Sequence, residues 1–202
     1  GGTVPLIRIL VNEGLMHGDC LTVTGKTMKE NMKNSKIVWP KDQQIVRPLS
    51  NPIYKEGALA VLRGNLAPDG CVIKPSACSA KFQQHTGPAL VFDDYPSLKI
   101  AIDDLDLDVT EDHVIILRNA GPKGGPGMPE WGMVPIPTKL VKQGVRDMLR
   151  ISDARMSGTS YGACVLHVSP EAYIGGTLAL VKTGDPITVD IPNRRIHLEV
   201  SD

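Results

Sequence analysis

The sequence predicts a mixed α/β domain, in which many short strands form a barrel or sandwich and helices are interspersed among them. Two observations point there. Short apolar runs rich in Val, Ile and Leu recur between Gly, Pro, Asn and Asp turn signals, and several segments between them have helical rather than alternating periodicity. With 20 Gly and 16 Pro the chain has residues for many turns, while aromatics at 4% leave the core to Val, Ile, Leu, Ala and Met.

In order, Pro5 to Leu15 reads as a helix with Leu6, Ile9 and Leu10 on one face and Gly14 as its stop. Asp19 to Thr24 alternates weakly, Gly25 to Asn31 opens a second helix, and residues 32–54 are polar and irregular. The run Gly25-Lys26-Thr27 is no phosphate loop, because the position that needs a further Gly holds Cys20. Strands follow at Ala58–Leu62, Cys71–Lys74 and Ala89–Phe92, the first two joined through Asp69-Gly70. A helix spans Tyr95 to Ile102, and the acidic stretch after it reads as a solvated loop. Val114 to Leu117 is a buried strand. Thr138 caps a helix reaching about Leu149, in which Gly144 implies close backbone packing. A strand-to-loop passage covers Ile151 to Tyr161, Ala163 to Val168 is a strand, and Ser169-Pro170-Glu171 starts a helix. Strands at Ala179–Lys182, Ile187–Ile191 and Arg195–Val200 complete the pattern. The reading is one domain, with a helical N-terminal segment to about residue 35.

Composition excludes several function classes. The 202 residues carry 22 basic and 22 acidic side chains, so net charge is zero. With no Lys/Arg block in the sequence either, nothing suggests a nucleic-acid or anionic-membrane footprint. Cys20, Cys71, Cys78 and Cys164 lack metal-ligand spacing and read as reduced thiols. These residues show no apolar run near membrane-spanning length and no signal-peptide pattern, so a cytoplasmic or organelle-matrix location is the default expectation. The start at Gly1-Gly2-Thr3, without an initiator Met, suggests a piece of a longer protein.

Two loops could carry chemistry. From Gly121 to Glu130, ten residues contain four glycines and three prolines directly after a strand, a density that regular structure does not tolerate. Glu130 closes that loop, and a lone hard carboxylate there suits Mg²⁺. Ser157, in Arg155-Met156-Ser157-Gly158-Thr159, is a hydroxyl that needs activation, and Gly158 allows a ligand close to the backbone. The five histidines, His17, His85, His113, His167 and His197, read as structural or surface residues. From the residues alone the chain is a globular domain with one acidic and one hydroxyl site, and no reaction follows.

The blocks L-T-V-T-G-K-T (21–27), G-N-L-A-P-D-G (64–70), G-P-K-G-G-P-G-M-P-E (121–130), A-R-M-S-G-T (154–159) and H-V-S-P-E-A (167–172) resemble the dihydroxy-acid and sugar-acid dehydratase family. They run in order along nearly the whole chain, yet cover only the C-terminal part of such an enzyme. The family's larger N-terminal domain, which supplies the cysteines of an iron–sulfur cluster, is absent from this sequence. Asn119 before the G-P-K and R-I-S-D-A-R-M-S-G-T (150–159) look like the aldonate, pentonate-type branch; the branched-chain branch typically has E-G-P-K and G-R-F-S-G.

The resemblance implies a β-barrel flanked by helices and swivelled against the missing domain. It implies loss of water from a sugar acid to give a 2-keto-3-deoxy acid, with Glu130 as one Mg²⁺ ligand, Ser157 as the alkoxide base on the C2 proton and Thr159 beside the substrate. A cluster of two-iron or four-iron type on the N-terminal domain, none of whose ligands falls on this chain, would assist the leaving C3 hydroxyl. Homodimers or homotetramers are implied as well, and the isolated chain is expected to be inactive. The alternatives are the branched-chain dihydroxy-acid branch and a non-catalytic assembly module.

Overall fold

Eight short strands close into a barrel in the computed structural model, which describes residues 2–36, 42–127, 129–157 and 161–201. The chain divides into two units, Gly1–Lys55 and Glu56–Asp202. In the first unit, helix α1 (Thr3–Asn12) ends where Gly14 takes φ +71° and the Leu15 N–H reaches back to the Leu10 carbonyl at 2.8 Å. Helix α2 (Met28–Asn34) opens on a capping box, with Thr27 and Glu30 answering each other's backbone N–H. Gly25-Lys26-Thr27 is therefore a turn followed by a helix cap. Arg8 of α1 donates to the Met32 and Ser35 carbonyls at the end of α2.

The barrel belongs to the second unit. Its strands are β1 (Ala60–Gly64), β2 (Ala67–Ile73), β3 (Gln84–Phe92), β4 (Val114–Leu117), β5 (Leu149–Ser152), β6 (Cys164–Ser169), β7 (Pro186–Asp190) and β8 (Arg195–Leu198), closed in the order β1-β2-β6-β5-β4-β3-β7-β8. Strands β3 to β6 are mutually parallel, and β2 and β7 run against their neighbours. Parallel neighbours need crossovers, and these return outside the barrel carrying α3 (Tyr95–Asp103) and α4 (Thr138–Lys142).

Strand β4 shows why the sequence folds this way. Val114 and Ile116 enter the barrel interior with Leu62, Ile73, Ile151 and Val165, whereas Ile115 and Leu117 pack outward with Leu98, Ile102 and Leu140 under the helices. A strand covered on both faces has to be apolar at every position. Each of its four side chains is fully buried, a contribution of roughly 1.5–3 kcal/mol apiece. Asp94 caps α3 by accepting the Ser97 N–H at 2.7 Å.

Four expectations are corrected. The helix from Thr138 stops at Lys142, and Leu149 already belongs to β5. Gly144 serves conformation rather than packing: it takes φ +94°, nothing lies within 4 Å of a Cβ built there, and the Val145 N–H bonds the Leu140 carbonyl at 3.0 Å in a left-handed helix stop. Ala179–Lys182 is no strand; Thr177–Leu180 is a 3₁₀ turn, and a second short one, Ala172–Ile174, stands where a helix was expected to begin.

Candidate functional site

The crossover leaving β4 is held from its first residue. Arg118 donates to the carbonyls of Ala179 (2.7 Å) and Val181 (3.0 Å) and pairs with Asp93 at 2.5 Å. Asn119 then takes φ +60°, and the N–H groups of Asn119 and Ala120 donate to the Asp153 carboxylate at 3.2 and 3.0 Å. Asp153 also accepts the Ala172 N–H at 2.9 Å. Next, the N–H groups of Lys123 and Gly124 donate to Glu171 at 3.0 and 3.1 Å. Gly121 lies so close to Glu171 that an added Cβ would overlap its carboxylate. The glycines therefore let backbone amides approach two buried acids, charge-assisted bonds that replace a regular ladder.

Asp153 is 1% exposed and Glu171 8%. Burial pushes the Asp153 carboxyl above the usual range; its three amide donors oppose that, and the nearby Glu171 charge adds to it. Neither acid is accessible enough to be a reactant, and their geometry is that of a clamp.

The functional candidates sit farther out. Glu130 is about half exposed and pairs with Arg155 at 2.6 Å, while the Gly132 N–H donates to the Arg155 carbonyl at 2.8 Å. Arg155 thus joins the crossover leaving β4 to the one leaving β5, two residues before Ser157. Exposed Ser157 lines a cavity of about 340 Å³, together with Leu59, Val72, Lys74, Met156 and His167. Glu130 is not among its lining residues. Thr159 lies outside the described residues.

Beyond Ser157 the chain is tied down by a buried pair. Arg150 (2% exposed) bonds Asp147 at 3.1 Å and donates to the carbonyls of Met148, Val134 and Tyr161. Asp147 accepts N–H groups from Met148, Ala163 and Ser79 and the Ser79 hydroxyl. Sequence reading missed this pair and the Asp153–Glu171 clamp. Asp153 and Glu171 fall inside the quoted blocks at 150–159 and 167–172, but only folding places their carboxylates against the Gly/Pro loop.

The donor groups separate the two implied cofactors. Glu130 offers one accessible carboxylate, which fits a single ligand to Mg²⁺ with the rest from outside this chain; among the described residues no three His, Cys, Asp or Glu side chains cluster as a metal site. The cysteines do not fit an iron–sulfur cluster. Cys71, Cys78 and Cys164 are buried and Cys20 is exposed in the first unit, and among the described residues no three of the four come together as a ligand set.

Residues 44–202 match the dihydroxy-acid/6-phosphogluconate dehydratase C-terminal family. The whole chain aligns with a 6-deoxy-6-sulfo-D-gluconate dehydratase of Pseudomonas putida at 52% identity, covering 34% of that protein. It aligns over its full length with an L-arabinonate dehydratase of Rhizobium leguminosarum bv. trifolii at 48% identity (34% of that protein) and with a dihydroxy-acid dehydratase of Synechococcus sp. at 45% (35%). It spans about a third of the length of these curated relatives. No helix among the described residues is long and apolar enough to cross a membrane. A profile match over most of the chain, together with identities near one half, shows that the chain belongs to the dihydroxy-acid/6-phosphogluconate dehydratase family and corresponds to its C-terminal part.

Proposed function

We propose that this chain is the C-terminal domain of a cytoplasmic, homo-oligomeric hydro-lyase that dehydrates a sugar acid of the aldonate class to a 2-keto-3-deoxy acid. The observation that carries the reading is the Arg155 junction, which brings the loops bearing Glu130 and Ser157 together although 27 positions separate them in sequence. The names of the 52% and 48% identical relatives support the aldonate branch.

In this mechanism Ser157, as its alkoxide, accepts the C2 proton at Oγ; hydroxide leaves C3 and takes up that proton as water, which restores the alkoxide, and the resulting enol tautomerises to the 2-keto acid. Glu130 holds one position of a magnesium ion, with Thr159 beside the substrate. Bound magnesium supplies electrostatic stabilisation of charge developing near the substrate carboxylate. The cluster is assigned to an N-terminal domain outside this chain, as the family resemblance implies, and no cysteine ligand set is gathered among the described residues. A second reading, a branched-chain dihydroxy-acid dehydratase, is favoured by the 45% identity to the Synechococcus protein.

The test is a dehydratase assay on the full-length protein carrying this domain, anaerobic and with Mg²⁺, offering L-arabinonate, xylonate and galactonate beside 2,3-dihydroxy-3-methylbutanoate. Turnover of an aldonate that Ser157→Ala abolishes is the expected result, with no 2-keto acid from the 202-residue chain alone. Turnover of the branched-chain acid only would move the assignment to the second reading. No turnover of any acid would leave a non-catalytic assembly module.

A further inference from the structure

Strand β6 breaks strict alternation at one point. Val165 and Val168 both belong to the barrel interior, three positions apart rather than two, so Leu166 and His167 fall together on the outer face. The pairing with β2 shows the same irregularity, since the register passes from Gly70↔Ser169 to Val72↔Leu166 and two steps on β2 match three on β6. This is a β-bulge, a device that re-aims a side chain. His167 takes φ +54° within it, a conformation that His, Asn and Asp adopt more readily than other residues with side chains.

The bulge sets His167 beside the candidate base. Its backbone N–H donates to the Ala154 carbonyl at 3.2 Å, three residues before Ser157, and His167 lines the cavity that Ser157 lines. Much of that cavity is apolar, with walls from Leu59, Val72, Met156 and Leu166; among the described residues its polar side chains are Ser157, Lys74 and His167, beside the thiol of Cys164. A polyhydroxylated acid loses water at every oxygen it brings into such a space and needs donors there in exchange.

We propose that His167 is a substrate-contacting, specificity-determining residue, its imidazole N–H donating to an oxygen of the bound acid. This rests on the dehydratase reading above. The test is binding without turnover: the full-length protein in a Ser157→Ala background, titrated calorimetrically with L-arabinonate. His167→Asn and His167→Gly both tolerate the left-handed backbone, so the bulge is kept, as thermal melting would verify. Each is expected to weaken Kd roughly tenfold, the loss of one hydrogen bond to a charged or strongly polar group. His197→Asn, on β8, is expected to leave Kd unchanged.

Parent-like affinity in both His167 variants would overturn the inference while leaving the sugar-acid reading intact. If Ser157→Ala protein binds no aldonate, that reading fails, and the comparison passes to 2,3-dihydroxy-3-methylbutanoate, where the same tenfold loss is expected and unchanged affinity overturns the role of His167. Binding of neither acid overturns both.

Discussion

The crossovers leaving β4 and β5 start from adjacent parallel strands and are held in opposite ways. The first is gripped at its start, with four of its backbone N–H groups between Asn119 and Gly124 satisfied by Asp153 and Glu171. The second is tethered at its two sides: Ala154 and Arg155 bond His167 and Gly132, and beyond Ser157 the Asp147–Arg150 pair holds Tyr161 and Ala163. In both, the anchoring charges are nearly inaccessible, whereas Glu130 and Ser157 stand in the open. The contrast teaches that the buried groups holding the crossovers are not the exposed residues proposed to react, so their substitutions have separable consequences.

Substituting an anchor of the second crossover should do the most damage. Asp147→Ala leaves the Arg150 guanidinium buried without its counter-charge and strands the N–H groups of Ser79 and Ala163; a loss of about 3–5 kcal/mol in urea unfolding is expected. A loss below about 1 kcal/mol would show that the pair does not act as an anchor. The first crossover is probed by Gly121→Ala, whose methyl group has to displace the Glu171 carboxylate, with an expected loss of about 1–3 kcal/mol as N–H bonds to it are given up. Unchanged unfolding would mean that Glu171 yields freely.

Glu130→Gln turns to the proposed magnesium ligand. Its pair with Arg155 is exposed on both sides, so stability should change by less than about 1 kcal/mol, while apparent magnesium affinity of the full-length enzyme falls roughly 100-fold or more. A destabilised protein with normal magnesium dependence would reverse the assignment.

The smallest effect is a slope. Because the folded-state pKa of Asp153 is raised, the native state keeps a proton that the unfolded chain has released between the two values. Stability from this group is complete below the unfolded pKa and is lost as pH rises through the folded one. Unfolding free energies of the parent minus those of Asp153→Asn should therefore decline with pH across that window; a flat difference would show that the amide donors cancel the effect of burial, and a rising one that they outweigh it.

Legibility in the sequence follows how local each signal is. Val114–Leu117 is found at its true bounds, because burial on both faces needs an unbroken apolar run, and the helix expected over Tyr95–Ile102 spans Tyr95–Asp103. Strand β5 is harder. It includes Arg150, a charged residue in a fully buried strand, and Leu149 continues the helical spacing begun at Leu140, so the true stop at Gly144 is overridden. Ala179–Lys182 reads as a strand, but Thr177–Leu180 forms a 3₁₀ turn, and the carbonyls of Ala179 and Val181 are answered by Arg118 from far along the chain. The motifs point to Glu130 and Ser157 through resemblance. The clamps at Asp153 and Glu171 are tertiary, and nothing in their own neighbourhoods announces which amides they will receive.

Closure between β1 and β8 has a consequence for how the domain is made. Arg63 pairs with Arg195, and β2 waits for β6, whose Leu166 faces Val72. On the ribosome the hairpin of β1 and β2 therefore emerges with both edges unpaired, one until β6 has been translated and the other until β8 has. Such long separations place the domain among slow folders, and the open edges of that nascent hairpin are where a chaperone, or a neighbouring unfinished chain, would first take hold.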